Sequence, residues 1–319
     1  MITEGFQGKP PLNISEIENR YYQKKEEIKL SEEKEKIQLV QDVTTPCNAP
    51  GVIANTFCTI GQTKANLSWS KMIILGILAG AYISFGAQLA TIATYDTAKY
   101  VGEGFSKFLF GSVFSVGLML VVIAGAELFT GNNLIVISTL NKNVTVGKLL
   151  NSWFWVYIAN FIGSLLLVWL MYSTELWKTG NFAVGAKALA IANGKVNLTW
   201  GVAIARGILC NWLVCLAVWM AVAAKDVPGK ILGIYFPIMA FVASGFEHSI
   251  ANMYFIPMGI ILKNNASVVA SAGLAEQLGR LTWGGFIFNN LLPVTIGNII
   301  GGAFFVSTLY WYVYLRKTK

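Results

Sequence analysis

The sequence predicts an all-α membrane protein: six transmembrane helices in two inverted three-helix repeats, with the second and fifth helices broken. Three observations lead there. Of 319 residues, 55% are hydrophobic and only 13% charged, about half the charged share of a soluble domain. Several apolar runs approach or exceed the ~18 residues that cross a bilayer, and their length points to helices rather than a barrel. Finally, three short motifs of the first half recur, in the same order, in the second.

Taken in order, residues 1–49 are polar. SEIENRYYQKKEEIKLSEEKEKIQL, residues 15–39, reads first as a solvated charged tail, with a helix capped by Ser15 and Glu18 as the alternative. Residues 50–66 follow as a short amphipathic helix, with Val52, Ile53, Phe57 and Ile60 on one face, lying on the membrane or capping the protein. Residues 67–319 form the membrane domain. Its six spans fall at about 69–95, 106–140, 149–173, 198–223, 230–262 and 283–315. Lys142, Lys148, Lys225, Lys230, Arg316, Lys317 and Lys319 lie on one side of such a chain. That side is cytoplasmic and carries both termini. Trp69, Trp153, Trp177, Trp200, Trp283 and Trp311 sit near span ends, as interfacial aromatics do. The expected location is the inner (plasma) membrane, with lipid as the surrounding partner.

The repeat is carried by GIL at 76–78 and 207–209, by GAELFTGN at 125–132 against GFEHSIAN at 245–252, and by IANFIG at 158–163 against IGNIIG at 296–301. Three spans per half is an odd number, so the halves enter the membrane from opposite sides, as in many transporters and channels. The interrupted segments at 125–132 and 245–252 then mark the solute path. A break at that depth is tolerated only against protein or a wet cavity. Thr130-Gly131-Asn132 and His248-Ser249 can each start a half-helix, with Ser249 as N-cap. Two such ends, each with free N–H groups and partial positive charge, would attract a small anion.

Charge and cysteine content exclude other classes. Residues 1–65 hold 8 Lys/Arg against 9 Asp/Glu, and the remainder 16 against 7. No basic cluster carries interleaved aromatics, so nucleic acid is not a partner; a basic membrane domain suits lipid headgroups or an anionic solute. Cys47, Cys58, Cys210 and Cys215 form no CxxC, and with one histidine no metal site of ordinary spacing can be built. No cofactor is expected, and nothing in the chain suggests an enzyme. MITEGFQGKPPL lacks the features of a cleavable leader.

His248 is the side chain whose ordinary pKa lies nearest neutrality. A carboxylic acid of pKa near ~4 is neutral in only about one molecule per thousand at neutral pH. A site that gathers the anion and supplies a proton would ease its passage through an apolar pore. Glu127 and Glu247 read mainly as scaffold, their carboxylates accepting from free backbone N–H groups, and secondarily as proton carriers. Lys195 would concentrate anions at a pore mouth, or is a plain loop lysine. Arg206 is an intramembrane cation or one that snorkels to the interface. Phe114, Leu118, Leu128 and Phe241 flank the breaks, as core residues or as constrictions that stop hydrated ions.

ASGFEHSIANMYFIPMGI (243–260), AELFTGN (126–132), NWLVCLAVWMA (211–221) and LLPVTIGNIIGG (291–302) resemble the formate/nitrite transporter family, over roughly residues 50–317. The resemblance implies an aquaporin-like fold, a homopentamer and one pore per protomer. It implies passage of formate, nitrite, hydrosulfide, acetate or lactate, with protons. His248 would be the central histidine and Thr130 its partner across the pore. Lys195 would be the conduction lysine of the outer vestibule, with Asn211 and Asn298 as pore-side polar groups. Leu118, Leu128, Phe114 and Phe241 would form two constrictions, while Asn132 and Asn252 belong with Glu127 and Glu247 to the loop scaffold. The stretch near 50–65 corresponds to a cytoplasmic helix associated with gating. CNWLVCLAVWMA, with Arg206 upstream as a vestibule cation, is nearer the nitrite branch, while the sixth-span and post-histidine motifs are of formate type. A formate channel is thus the first reading. A nitrite or hydrosulfide channel is the second, and a neutral-solute or water pore the alternative of another class.

Overall fold

A computed structural model describes residues 14–44 and 47–316. Residues 1–47 and 48–319 form two separate compact units. In the first, α1 (Ile14–Thr44) is a single helix whose residues 15–33 are exposed. Ser15 lies inside its first turn, not ahead of it as a cap.

The second unit is helical among its described residues. It runs through α2 (Pro50–Ala65), α3 (Trp69–Ala93), α4 (Ala98–Phe114), α5 (Val116–Ile123), a 3₁₀ turn (Gly131–Leu134) and α6 (Ile135–Leu140). Then come α7 (Val146–Ser173), α8 (Ala183–Val196), α9 (Trp200–Ala223), α10 (Val227–Ala243), α11 (Ser249–Leu262) and α12 (Ala266–Ala272). The last apolar stretch is a wide π-helical turn (Gly285–Leu291), α13 (Leu292–Ile299), a second π turn (Ile300–Thr308) and α14 (Leu309–Tyr314). Five helices are long and apolar enough to cross a membrane: residues 69–93, 98–123, 146–173, 200–223 and 285–314. The expected fifth span is instead two shorter apolar helices, α10 and α11. The chain is a membrane protein by these helices.

Local chemistry sets the ends. Pro50 opens α2, where its missing N–H costs nothing. Asp226 caps α10, accepting from the Gly229 N–H at 2.7 Å. Thr145 does the same for α7. The buried face of α2 is Ile53, Ala54, Phe57, Cys58, Gly61 and Ala65, a four-residue spacing. Val52, expected on that face, is 52% exposed, because it lies one residue off the stripe. Ser138 of α6 donates to the Phe57 or Cys58 carbonyl at 2.9 Å and pins α2 against the membrane domain. The desolvating contact raises the Cys58 thiol pKa.

Inside, α3 packs along α7 and α9 along α13. Small residues allow the close approach: Gly76, Ala79, Gly80, Ala87 and Ala90 make a buried stripe on α3. A Cβ on Gly163 of α7 would overlap the Ile77 carbonyl of α3. Of the tryptophans expected at interfaces, Trp153 is turned inward. It is half-buried, and its indole N–H donates to the Asn132 carbonyl at 3.0 Å. Trp177 is buried and donates to the Tyr172 carbonyl.

Gly163→Val is expected to destabilise the purified protein by about 1–3 kcal/mol through overpacking, read as a lower melting temperature in detergent. An unchanged melting temperature would contradict the close α3–α7 contact.

Candidate functional site: two matched clusters around His248

Two segments leave the helical ladder, residues 124–130 between α5 and the 3₁₀ turn, and residues 244–248 between α10 and α11. Both turn on a glycine with positive φ, Gly125 at 85° and Gly245 at 76°, a conformation that excludes most side chains. After each glycine comes a residue whose N–H donates five residues back, Ala126 to Val121 and Phe246 to Phe241. Next comes a glutamate whose N–H reaches a neighbouring helix, Glu127 to the Leu75 carbonyl and Glu247 to the Arg206 carbonyl, each at 3.2 Å.

One buried asparagine closes each loop. Asn160 donates to the Gly76 and Glu127 carbonyls at 2.8 and 2.9 Å and accepts from the Phe129 N–H at 2.9 Å. Asn298 donates to the Gly207 and Glu247 carbonyls, both at 2.9 Å, and accepts from the Ser249 N–H at 2.9 Å. Each amide thereby spends two of its three bonds on backbone of a break and the third on a carbonyl of the neighbouring helix, Gly76 of α3 or Gly207 of α9.

The glutamates hold the loops in a way other than expected. Their oxygens take side-chain donors, because the asparagines already hold the neighbouring amides. Glu127 accepts from Lys64 Nζ at 2.7 Å and Asn132 Nδ2 at 2.8 Å. Glu247 accepts from Lys195 Nζ at 2.9 Å, Asn252 Nδ2 at 2.7 Å and Asn290 Nδ2 at 3.2 Å. Each buried carboxylate is thus neutralised by a less buried lysine. The two lysines close α2 and α8.

His248, not Ser249, caps α11. Its Nδ1 accepts from the Ala251 N–H at 3.1 Å, and Ser249 is the first helical residue. With Nδ1 as acceptor, the proton of the neutral ring is on Nε2, which lies 2.9 Å from Thr130 Oγ1 and can donate to it. The Thr130 hydroxyl proton then remains for another acceptor. Few amides of the α11 N-terminus stay open, because Asn298, His248 Nδ1 and the His248 carbonyl take those of Ser249, Ala251 and Asn252.

Two cavities border the breaks. One, of about 460 Å³, is bordered by Lys64, Glu127, Leu118, Val121 and Leu128 and roofed by α2 residues Phe57, Ile60 and Gly61. The other, of about 170 Å³, is bordered by Lys195, Glu247, His248, Phe114, Phe241 and Phe255. Phe114 and Phe241 meet edge-to-face with ring centroids 6.0 Å apart, and Phe241 lies 5.9 Å from the His248 ring. Each cavity therefore holds one lysine–glutamate pair and one apolar group, and His248–Thr130 lies behind the smaller one. Asn211 borders neither cavity; it donates to the Thr130 and Asn298 carbonyls at 3.3 and 2.7 Å and ties the first break to α13. Arg206 is not brought to the site. Its side chain is exposed on α9, and only its carbonyl takes part.

A sequence profile described as Formate/nitrite transporter matches residues 51–312. The chain belongs to the formate/nitrite transporter family. A probable formate transporter of Methanothermobacter thermautotrophicus is 44% identical over 284 residues, covering 84% of this chain and 98% of that protein. Formate channel FocA of Escherichia coli strain K12 is 41% identical over 271 residues, covering 84% and 95%. Among solved structures, a pentameric formate channel with formate bound has a TM-score of 0.70 at 39% identity, over 78% of this chain and 98% of that one. An FNT family ion channel has a TM-score of 0.67 at 28% identity, over 82% and 98%. The family is one of transporters and channels, not enzymes.

Within this member of the formate/nitrite transporter family, Lys64 escaped the sequence reading although a signal for it existed. KANLSW at 64–69 and KVNLTW at 195–200 match at the same offset of 131 residues as the two GIL triplets. Asn160→Ala and Asn298→Ala would each strand several buried backbone groups, at about 1–3 kcal/mol apiece. Both variants are expected to lower the melting temperature by similar amounts. A silent substitution at either site would separate the two clusters.

Proposed function

We propose that this chain is one protomer of a homopentameric channel for small monovalent anions of weak acids, formate first among them, with passage assisted by protonation at His248. The observation that carries this reading is that His248 borders the cavity of the Lys195–Glu247 pair and bonds Thr130, whose neighbour Gly131 borders the cavity of the Lys64–Glu127 pair. The relatives' names, formate transporter and formate channel, support formate as the solute. Six spans in two inverted halves, the second broken at 124–130 and the fifth at 244–248, suit the matched clusters. Both termini are then cytoplasmic, residues 1–49 form the tail, and residues 50–66 form a cytoplasmic helix over the Lys64 cavity, with residues 67–319 as the channel.

The sequence of events follows from charge. Lys64 or Lys195 draws the anion into its cavity, with the paired glutamate keeping the lysine local. Beyond lies an apolar constriction, Leu118 and Leu128 on one side and Phe114 and Phe241 on the other, where a bare carboxylate is costly. The Thr130 hydroxyl can donate to the carboxylate while His248 Nε2–H donates to Thr130. A proton drawn from the bulk and passed along that line gives the neutral acid, which crosses the far constriction; the ring takes up a second proton before it hands on the one at Nε2, since a neutral ring that gave it up would be left an imidazolate. Nδ1 therefore has to leave the α11 cap to take that second proton, so the cap and the relay compete for one nitrogen.

In proteoliposomes, formate flux down its gradient is expected to rise as pH falls, because the neutral share of a weak acid grows about tenfold per pH unit above its pKa. His248→Phe should lower that flux about tenfold or more; unaltered flux would remove the histidine from the mechanism. Nitrite or hydrosulfide passing much faster than formate in the same preparation would change the solute. Rapid water or glycerol flux in stopped-flow shrinkage would favour the neutral pore.

A further inference from the structure

Asn290 has no counterpart in the first half of the chain, and the difference bears on Lys195. It is fully buried in the π-helical turn Gly285–Leu291, a winding that often marks functional positions. Its Nδ2 donates to Glu247 Oε2 at 3.2 Å and to the Lys195 carbonyl at 3.0 Å, while its Oδ1 accepts from Asn252 Nδ2 at 2.7 Å. One side chain thus touches the carboxylate, its asparagine partner and the backbone of the lysine. Asn290 stands eight residues before Asn298; eight before Asn160 stands Ser152. Ser152 is fully buried too, and its hydroxyl has no partner.

The lysines respond differently. Lys64 bridges Glu127 Oε1 and Asn132 Oδ1, at 2.7 and 3.2 Å. Among the described residues, Lys195 bonds Glu247 Oε1 alone, and the buried Asn252 Oδ1 is left without a partner. Glu247 Oε2 is occupied by both Asn252 and Asn290, so the carboxylate cannot swing its second oxygen toward the lysine. Lys195 keeps its remaining N–H donors for the 170 Å³ cavity, with its ammonium 5.4 Å from the centre of the Phe255 ring.

We infer that Asn290 is a positioning residue that locks Glu247 and so holds the Lys195 ammonium toward the anion-collecting cavity. This rests on the proposed role of the Lys195–Glu247 pair, and the test separates the two. Asn290→Asp keeps the shape but sets a second carboxylate against Glu247. Two such groups repel when both are charged and share a proton in acid, which restores one O–H donor to Glu247. Relative to the unsubstituted protein at each pH, formate flux in proteoliposomes is expected to fall about fivefold at neutral pH and to recover to within about twofold near pH 5. Asn290→Ser, copying the first-half arrangement, should raise the half-saturating formate concentration several-fold on the Lys195 side with maximal flux retained.

Size-exclusion chromatography confirms assembly of each variant first, and Lys195→Ala is run alongside. If Lys195→Ala reduces flux while both Asn290 variants behave as the unsubstituted protein, the positioning role is overturned and the pair stands. A loss in Asn290→Asp by the same factor at every pH also overturns it, since a packing defect is not relieved by a proton. If Lys195→Ala carries formate undiminished, the reading of the pair falls, and the positioning role with it.

Discussion

Backbone that leaves the helical ladder at membrane depth has to find partners inside the protein, and the whole arrangement depends on how this chain meets that demand. Two asparagines, Asn160 and Asn298, each donate two hydrogen bonds to main-chain carbonyls and accept one from a main-chain amide. A hydroxyl has one proton to donate and a carboxylate none, so neither could make all three bonds from one position. The glycines at 125 and 245 turn the chain, and the asparagines on α7 and α13 receive it. Those helices must therefore lie close to α3 and α9, which is why the glycines at their contacts include several with no room for a methyl group.

With the main chain satisfied, the side chains of the breaks are free for chemistry. A glutamate at this depth would be expensive alone. Each is matched to a lysine from a separate helix and to an asparagine five residues on. The result is a local charge pair of zero net charge with an ammonium facing a cavity. Such a pair can attract an anion weakly enough to release it. His248 is relieved of any pairing duty with Glu247 and spends one nitrogen on the α11 cap, the other on Thr130.

The fold was legible because its demands are local and repeated. GxExxxxN preserves the positive-φ glycine, the carboxylate and its asparagine; IANFIG and IGNIIG preserve the clamp; GIL preserves the contact glycine. What was missed lies where contact depends on neighbours far along the chain. Lys64 reads as the polar end of an amphipathic helix until the KxNL(S/T)W match is seen. Asn290 carries no repeat signal, and the π turn that presents it does not follow from composition. Ser249 is a better cap than histidine by propensity, yet Asn298 takes its amide and the imidazole takes the one two residues on. Val52 was misread because helical position alone does not say which face meets protein.

A frame repeated this closely makes its departures informative. The residue after each glutamate is Leu128 in one cluster and His248 in the other, and the residue six before each glutamate is Val121 in one and Phe241 in the other. Both members of the second set are aromatic and border the smaller cavity, while both members of the first are aliphatic and border the larger. Identical side chains would make the two cavities chemically alike. Here an imidazole stands beside one cavity only, and Thr130, from the other cluster, bonds to it. Backbone clamping therefore explains why the two breaks are built alike, and the unmatched side chains explain why the cavities beside them are chemically different.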